Sequence, residues 1–324
     1  MKKTVTELLA GQWDAEAMRV DDETAERTVL YEKDVEKHVA RIIFNNPEQG
    51  NALTLAACER VGDLVKEAEV DDDVKVIIFK GNGPCFGSGG DAGELGHYIG
   101  YKSGTTAEEK KRPSQRQRML PDRSLVFDAF ERSIMDCLKA TICQVHGYCY
   151  GGHIMIALAA DIIIASPDAL FTHPAFRYLG PSPQDMYLWI ETLGLKKMKE
   201  IMLTMRAMSA EEALQCGLVN KIVPGDELEQ WVEDYAQAIA VMPLDSIMMG
   251  KAMQQLVMEA RGKGVGTMCG WVGHGWSTNL RYEPGEWNFM KARRDKGLTQ
   301  ALRDRDHMVA PFFRLGKSRD DSLR

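Results

Sequence analysis

Two glycine-rich stretches are the part of this chain best suited to chemistry. The first is Cys85-Phe86-Gly87-Ser88-Gly89-Gly90-Asp91. The second, about sixty residues on, is His146-Gly147-Tyr148-Cys149-Tyr150-Gly151-Gly152-His153. Each follows a short apolar run that reads as a buried strand, Val76-Ile77-Ile78-Phe79 before the first and residues 141–145 before the second. Paired glycines after a strand let the backbone turn sharply and bring bare N–H groups close to a ligand. Two such loops facing one another can aim two amide protons at a single oxygen, the arrangement that stabilises a developing oxyanion. Taken singly, each loop reads equally well as a plain strand-to-helix turn.

The elements that must position these loops alternate. Residues 38–44 have a strand pattern, residues 45–51 carry turn chemistry, and residues 52–70 place apolar side chains at helical spacing before the strand 74–79. Strand, helix and strand in that order form a βαβ unit with parallel strands. A polar segment, 96–124, follows the first glycine loop and reads as a lid or a solvated insertion. A helical pattern runs from Leu125 to Leu138, a buried helix from Gly152 to Ala159, and a strand over 161–165. Residues 171–185 read as an extended loop with three prolines. A helix from Met186 is ended by Gly194, and another covers 196–205. Ser209 with Glu212 forms a capping-box signal. Beyond Asp226 the pattern is helical to about residue 260; the Gly- and Trp-rich segment 261–287 breaks it, and 288–306 is helical and charged. The expected division is an N-terminal extension, 1–35, a core, 36–225, and a helical C-terminal region with tail, 226–324.

The 324 residues carry a net charge of −7, which argues against a general nucleic-acid or anionic-membrane surface. Charged sequence follows Met1 without an apolar signal stretch, and no window is apolar enough to span a bilayer. The seven cysteines are scattered, with no CxxC pair, which points to reduced thiols in a cytoplasmic protein and away from zinc.

Over residues 36–260 the chain resembles the crotonase (enoyl-CoA hydratase/isomerase) superfamily. The resemblance is carried by Asn46-Pro47-Glu48 with Asn51-Ala52-Leu53, by Phe86 to Asp91, by His146 to Gly152, by Ala160-Asp161-Ile162, and by Ser209 to Val219. It implies an α/β fold, a crotonase-like spiral of ββα units with a helical C-terminal region, assembled as a homotrimer or homohexamer. It implies an acyl-CoA thioester substrate, with coenzyme A as part of that substrate and no separate cofactor or metal. Motif matched to motif, the amides of Ser88 and Gly152 would hold the thioester oxygen. Gln49, Asn51, Ala52, Leu53, Gly87, Gly90 and Asp91 would line the coenzyme A path. Many relatives have Lys or Arg at the places of Gln49 and Gly50, so phosphate contacts would fall to Lys251 or to Lys291, Arg293 and Arg294, each of which reads first as part of a solvated helix face, or the acyl group would not be on coenzyme A.

The two glutamates that hydratases of this family use match Met155 and Ala175 (or Phe176), neither a carboxylate. Asp185 is the first substitute expected, although at the head of a helix it also reads as an N-cap. His173 is the second, and His153 follows the glycine of the second loop. Tyr148 and Tyr150 line that loop, and Glu94 and His97 follow the first. Cys85 and Cys149 read as packing residues. The expected activity is an enolate reaction other than hydration: C–C hydrolysis of a cyclic β-keto substrate, or double-bond isomerisation. The alternatives are a non-catalytic acyl-CoA-binding or scaffold subunit, and a hydratase using substitute residues.

Overall fold

The computed structural model describes residues 22–94, 119–120, 122–174, 185–277 and 280–313. The strands are β1 (Val29–Asp34), β2 (Val39–Phe44), β3 (Val76–Gly81), β4 (Ala140–Val145), β5 (Tyr148–Tyr150), β6 (Ile162–Ala165), β7 (Leu170–Thr172), β8 (Met208–Ser209) and β9 (Lys221–Ile222). The helices before β6 are α1 (Asp22–Thr28), α2 (Leu55–Val70), a π-helical segment over Asp122–Glu131, α3 (Arg132–Met135) and α4 (Gly152–Ala159). After β7 come α5 (Met186–Thr204), α6 (Ala210–Gln215), α7 (Leu228–Ala240), α8 (Leu244–Ala260), α9 (Lys263–Ser277), α10 (Phe289–Lys296) and α11 (Leu298–Val309).

Six strands form one sheet in the order β1-β2-β3-β4-β6-β9, and β5-β7-β8 form a second. All neighbours in the larger sheet run parallel except the β1–β2 hairpin. Its central strands are buried on both faces because helices cover both. Val76 and Ile78 of β3 point to α7, where Leu228, Val232, Ala236 and Ala240 meet them. Ile77 and Phe79, alternating with these, point into the main core with Val61, Leu64 and Val65 of α2. The mixed α/β architecture with a helical C-terminal region is the crotonase fold.

Several local signals act as the sequence implies. The Ser209 hydroxyl accepts from the Glu212 amide and the Glu212 side chain answers the Ser209 amide, completing the capping box of α6. Gly194 breaks the helical course inside α5 with φ 73°. Three expectations change. Residues 29–34, assigned to an N-terminal extension, are the edge strand of the main sheet and pair with β2 along its whole length. The segment 261–287 does not simply interrupt the helices, because α9 spans Lys263–Ser277. Its Gly266 lets α9 lie directly on Tyr187 of α5, whose backbone a side chain there would strike. Residues 171–172 extend into β7. Of the insertion 96–124, residues 122–124 belong to the π-helical segment, and almost all the rest lies outside the described residues. Among the described residues no helix is long and apolar enough to cross a membrane.

The crossing of α2 and the π-helical segment is the tightest helix contact near the site. A Cβ on Gly62 would coincide with the Ala129 carbonyl. Gly62→Ala is therefore expected to cost about 1–3 kcal/mol of unfolding free energy through overpacking. Gly250→Ala, with no atom within 4 Å of the added methyl on α8, is expected to be neutral or stabilising. Urea denaturation of the two variants checks the contrast.

Candidate active site

The two glycine loops leave the C-terminal ends of the adjacent parallel strands β3 and β4, which brings them side by side. They continue the ladder beyond the sheet. Phe86 N–H donates to the His146 carbonyl at 2.8 Å, Gly87 N–H to Tyr148 at 2.7 Å, and Tyr150 N–H returns to Gly87 at 3.0 Å. The turn before α2 joins from the other side. Leu53 N–H donates to the Gly89 carbonyl at 2.9 Å and Asp91 N–H to the Leu53 carbonyl at 2.8 Å. The Gly151 amide donates to Thr172 at 3.1 Å, tying the second loop to β7.

Backbone N–H groups need partners, so the amides left over are informative. The Ser88 amide is not one of them, since it donates to the Gly50 carbonyl at 2.8 Å. This corrects its assignment as the first oxyanion donor. The amides of Gly90 and Gly152 have no acceptor among the described residues, and they lie together. A Cβ built on Gly152 would sit 3.9 Å from the Gly90 nitrogen, and one on Gly89 3.4 Å from the Gly152 nitrogen. Gly90 is exposed and Gly152 half-buried, so both can meet a ligand. Gly152 is the first residue of α4, where the helix dipole adds positive potential. Gly151, at φ 54° and ψ −120°, holds a backbone conformation that only glycine adopts easily.

His153 lies behind this pair. Its Nδ1 accepts the Gly89 N–H at 3.1 Å, so the ring is the neutral tautomer with its hydrogen on Nε2. Nε2 has no partner and faces the apolar interior, where Phe44 and Phe86 meet the ring edge-on at 4.7 and 5.5 Å. Gly87 has no side chain because the ring occupies that space. Complete burial pushes the imidazole down to about 3. The candidate acid/base His153 is thus placed as a support of the first loop.

The other candidates fall apart spatially. Asp185 is fully buried at the head of α5. Its Oδ1 accepts from the Tyr187 and Leu188 amides at 2.8 and 3.1 Å, and its Oδ2 from the Thr267 hydroxyl at 2.5 Å. Burial pushes its carboxyl up, while the Thr267 hydroxyl, the two amides and the Lys263 charge favour the anion. Asp185 is an N-cap. His173 follows Thr172 directly, close to the second loop, and its ring is 6.3 Å from that of Trp189. Glu94 is buried and its carboxylate accepts the Leu55 amide at 3.0 Å, capping α2 together with Thr54. Tyr148 and Tyr150 pack on each other at 4.9 Å. Cys149 is fully buried and its thiol pushed well up, so it is inert. His97, Ala175 and Phe176 lie outside the described residues.

A residue that sequence reasoning passed over is Glu131, at the end of the π-helical segment. It is 1% exposed, and neither carboxyl oxygen has a hydrogen-bond partner among the described residues. Burial, then the Asp185 charge, hold its carboxyl well above the usual carboxylate range. The signal was present. Glu131 stands three and four residues before the buried Ile134 and Met135, which is a core position in a helical pattern.

The family model for enoyl-CoA hydratase/isomerase matches residues 34–265. The chain belongs to that family. EchA13 of Mycobacterium tuberculosis is 29% identical over 244 residues, covering 72% of this chain and 75% of EchA13. An enoyl-CoA hydratase crystal structure from Mycobacterium smegmatis superposes with a TM-score of 0.76 at 27% identity, over 92% of this chain and all of that one. An enoyl-CoA hydratase/isomerase from Xanthobacter autotrophicus Py2 gives 0.68 at 28% identity, over 87% and 98%.

Within this family frame the expected coenzyme A residues divide. Gln49 is exposed, and Ala52 and Asp91 are half-buried beside the glycine loops. Asn51 instead acts as a buried clamp. Its Nδ2 donates to the Asn82 and Cys85 carbonyls at 3.0 and 2.8 Å and its Oδ1 accepts from Asn46. Leu53 is buried, and Gly87 faces His153. Lys251 is not available to a phosphate, since its buried ammonium donates to the Lys139 carbonyl and to Asp161. Arg293 does not lie on a solvated helix face. It is 2% exposed and donates to the Ala92 carbonyl at 3.1 Å, just past the first loop.

The histidine support gives a pH dependence. The ring titrates near 3 in the folded chain and near 6.5 unfolded, so its stabilising contribution is complete above about pH 6.5 and drains away as pH falls toward 3. Between pH 7.5 and pH 5 the wild type is expected to lose about 2 kcal/mol more unfolding free energy than His153→Gln. Urea titrations at the two pH values measure it.

Proposed function

We propose that the protein binds an acyl-CoA thioester and stabilises its enolate with the amides of Gly90 and Gly152. The observation that carries this reading is the pair of adjacent, solvent-reachable N–H groups with no acceptor among the described residues, in loops where the amides of Phe86, Gly87, Ser88, Gly89, Asp91, Tyr150 and Gly151 are committed. Removing a proton beside a thioester builds negative charge on the carbonyl oxygen, and each fixed donor is worth about 3 kcal/mol there. Proton transfer without hydration is favoured because the position that motif matching assigns to a hydratase glutamate is Met155, a buried methionine on α4. Between the two candidate reactions, double-bond isomerisation is favoured over C–C hydrolysis. Asp185, the group that would orient a water, has both oxygens committed as a cap and to Thr267.

Product analysis with 2-enoyl-, 3-enoyl- and cyclic β-ketoacyl-CoA panels tests the reaction, and conversion of a 3-enoyl to a 2-enoyl thioester is the expected outcome. Ready hydration of crotonyl-CoA would overturn it. The donor assignment has its own test. Proline is tolerated at the first position of a helix, so Gly152→Pro removes one N–H from α4 with little cost in fold. It is expected to lower kcat about 100- to 1000-fold.

The same reading includes self-association. Met249, Met253, Leu256 and Val257 lie along one stripe of α8, each more than half exposed. Copies of this chain are the proposed cover, as a trimer or hexamer. Light scattering is expected to return a multiple of the 36.3 kDa chain mass, and Met253→Glu with Leu256→Glu to reduce it.

A further inference from the structure

Among the described residues the three buried carboxyls, Glu94, Asp185 and Glu131, are not alike. Glu94 caps α2 and Asp185 accepts three donors, but Glu131 accepts none on either oxygen. Buried polar groups are almost always paired, and a buried carboxyl left unpaired is a candidate for a place where a ligand completes the set. Its position fits that reading. The π-helical segment packs against α4, which starts at Gly152 and carries Met155 one turn on, and also against α9 and α2. Asp185, at the head of α5, is close enough for its charge to act on Glu131. Wide π-turns of this kind recur at functional sites.

We propose that Glu131 is the group that carries the proton in the thioester reaction. The proposal rests on the enolate reading above. In a 3-enoyl thioester, the Glu131 carboxylate takes a proton from C2. The C–H electron pair forms a C1–C2 double bond, and the carbonyl pair moves onto the oxygen held by Gly90 and Gly152. The Glu131 acid then returns the proton to C4, the carbonyl re-forms, and the double bond is left between C2 and C3. No water, metal or oxidant enters the balance. One carboxyl serves both steps, so no second acid or base is required.

The surroundings predict how the group titrates. From the elements packed about it, the buried titratable side chains are Cys58 on α2, His153 on α4, Asp185 before α5 and Lys263 on α9. Of these, Asp185 is the one whose charge bears on Glu131. Lys263 acts on Asp185 and pairs with Asp136 and Glu259. The carboxylate form of Glu131 therefore gains ground as pH rises, and removing the Asp185 charge extends that form to lower pH.

The test is exchange of C2 protons in deuterium oxide, followed by mass spectrometry, with saturated, 3-enoyl and cyclic β-ketoacyl-CoA thioesters. Wild type is expected to exchange at least one of them, at a rate that rises with pH. E131Q is expected to lose about 100- to 10,000-fold in exchange, and E131D less. E131Q keeps the shape of the buried side chain and adds no charge, so its thermal midpoint should hold. D185N keeps an N-cap while removing the charge, and is expected to shift the midpoint of the pH profile downward. That shift tests the proposal even where E131Q fails to fold. Exchange by E131Q at or near the wild-type rate overturns the assignment of Glu131 and leaves the enolate reading standing, as does an unmoved midpoint in D185N. No exchange by the wild type on any thioester overturns the enolate reading and the proposal with it.

Discussion

The backbone ladder between residues 86–87 and 146–150 is the interaction on which the site depends. It continues the parallel pairing of β3 and β4 past the sheet, so the two loops inherit the spacing of strands instead of the freedom of turns. Once that pairing and the contacts to Gly50, Leu53 and Thr172 are satisfied, the adjacent amides of Gly90 and Gly152 have no acceptor among the described residues. The site is thus a remainder. A fold that accounts for its buried N–H groups one by one leaves a donor free only where something else will take it. The His153 ring belongs to the same accounting, because it takes the Gly89 amide and keeps it turned away from the open side.

Electrostatics complements this. The neutral imidazole behind the loop brings no charge, which preserves the positive potential of two bare amides and the α4 terminus. A protonated ring at that depth would be costly, and burial prevents it. Glu131 and Asp185 are two buried carboxyls close enough for one charge to act on the other. They respond differently because their partners differ. Asp185 has two amides, a hydroxyl and the Lys263 charge on its side, and Glu131 has none. Separation of pKa values by environment is how one site holds both a structural carboxylate and a carboxyl that can exchange its proton.

Much of this was legible in the sequence. The strand–glycine order at 76–91, the strand–glycine–helix order at 141–159, the capping box at Ser209 and the break at Gly194 are local patterns whose physics is local, and the fold honours them. What was illegible depended on partners far along the chain. Ser88 and Gly90 stand in the same motif, and only the Gly50 carbonyl decides which amide is used up. The Asp185 cap was weighed against a catalytic role, and the Thr267 hydroxyl arriving from α9 settles where its second oxygen goes. Residues 29–34 carry Glu, Lys and Asp among their apolar positions, as an edge strand with one partner can. The glycines of α9 read as a break because glycine weakens an isolated helix, yet Gly266 is the condition for packing on Tyr187.

The division between hold and reaction follows from which atoms do each. In the proposed reading the hold is made of main-chain N–H groups, which side-chain substitution cannot delete unless proline is introduced. Proton handling is made of side chains, and any carboxyl that reaches the same space can do it. A chain can therefore lose a carboxylate at one place, as the motif match implies at Met155, and keep the proposed thioester grip. It then needs another carboxyl on a neighbouring element, kept free of the caps and ion pairs that occupy the rest. Among the buried carboxyls of the described residues, Glu131 meets that condition, and its lack of hydrogen-bond partners, a defect in a purely structural residue, is what a proton carrier requires.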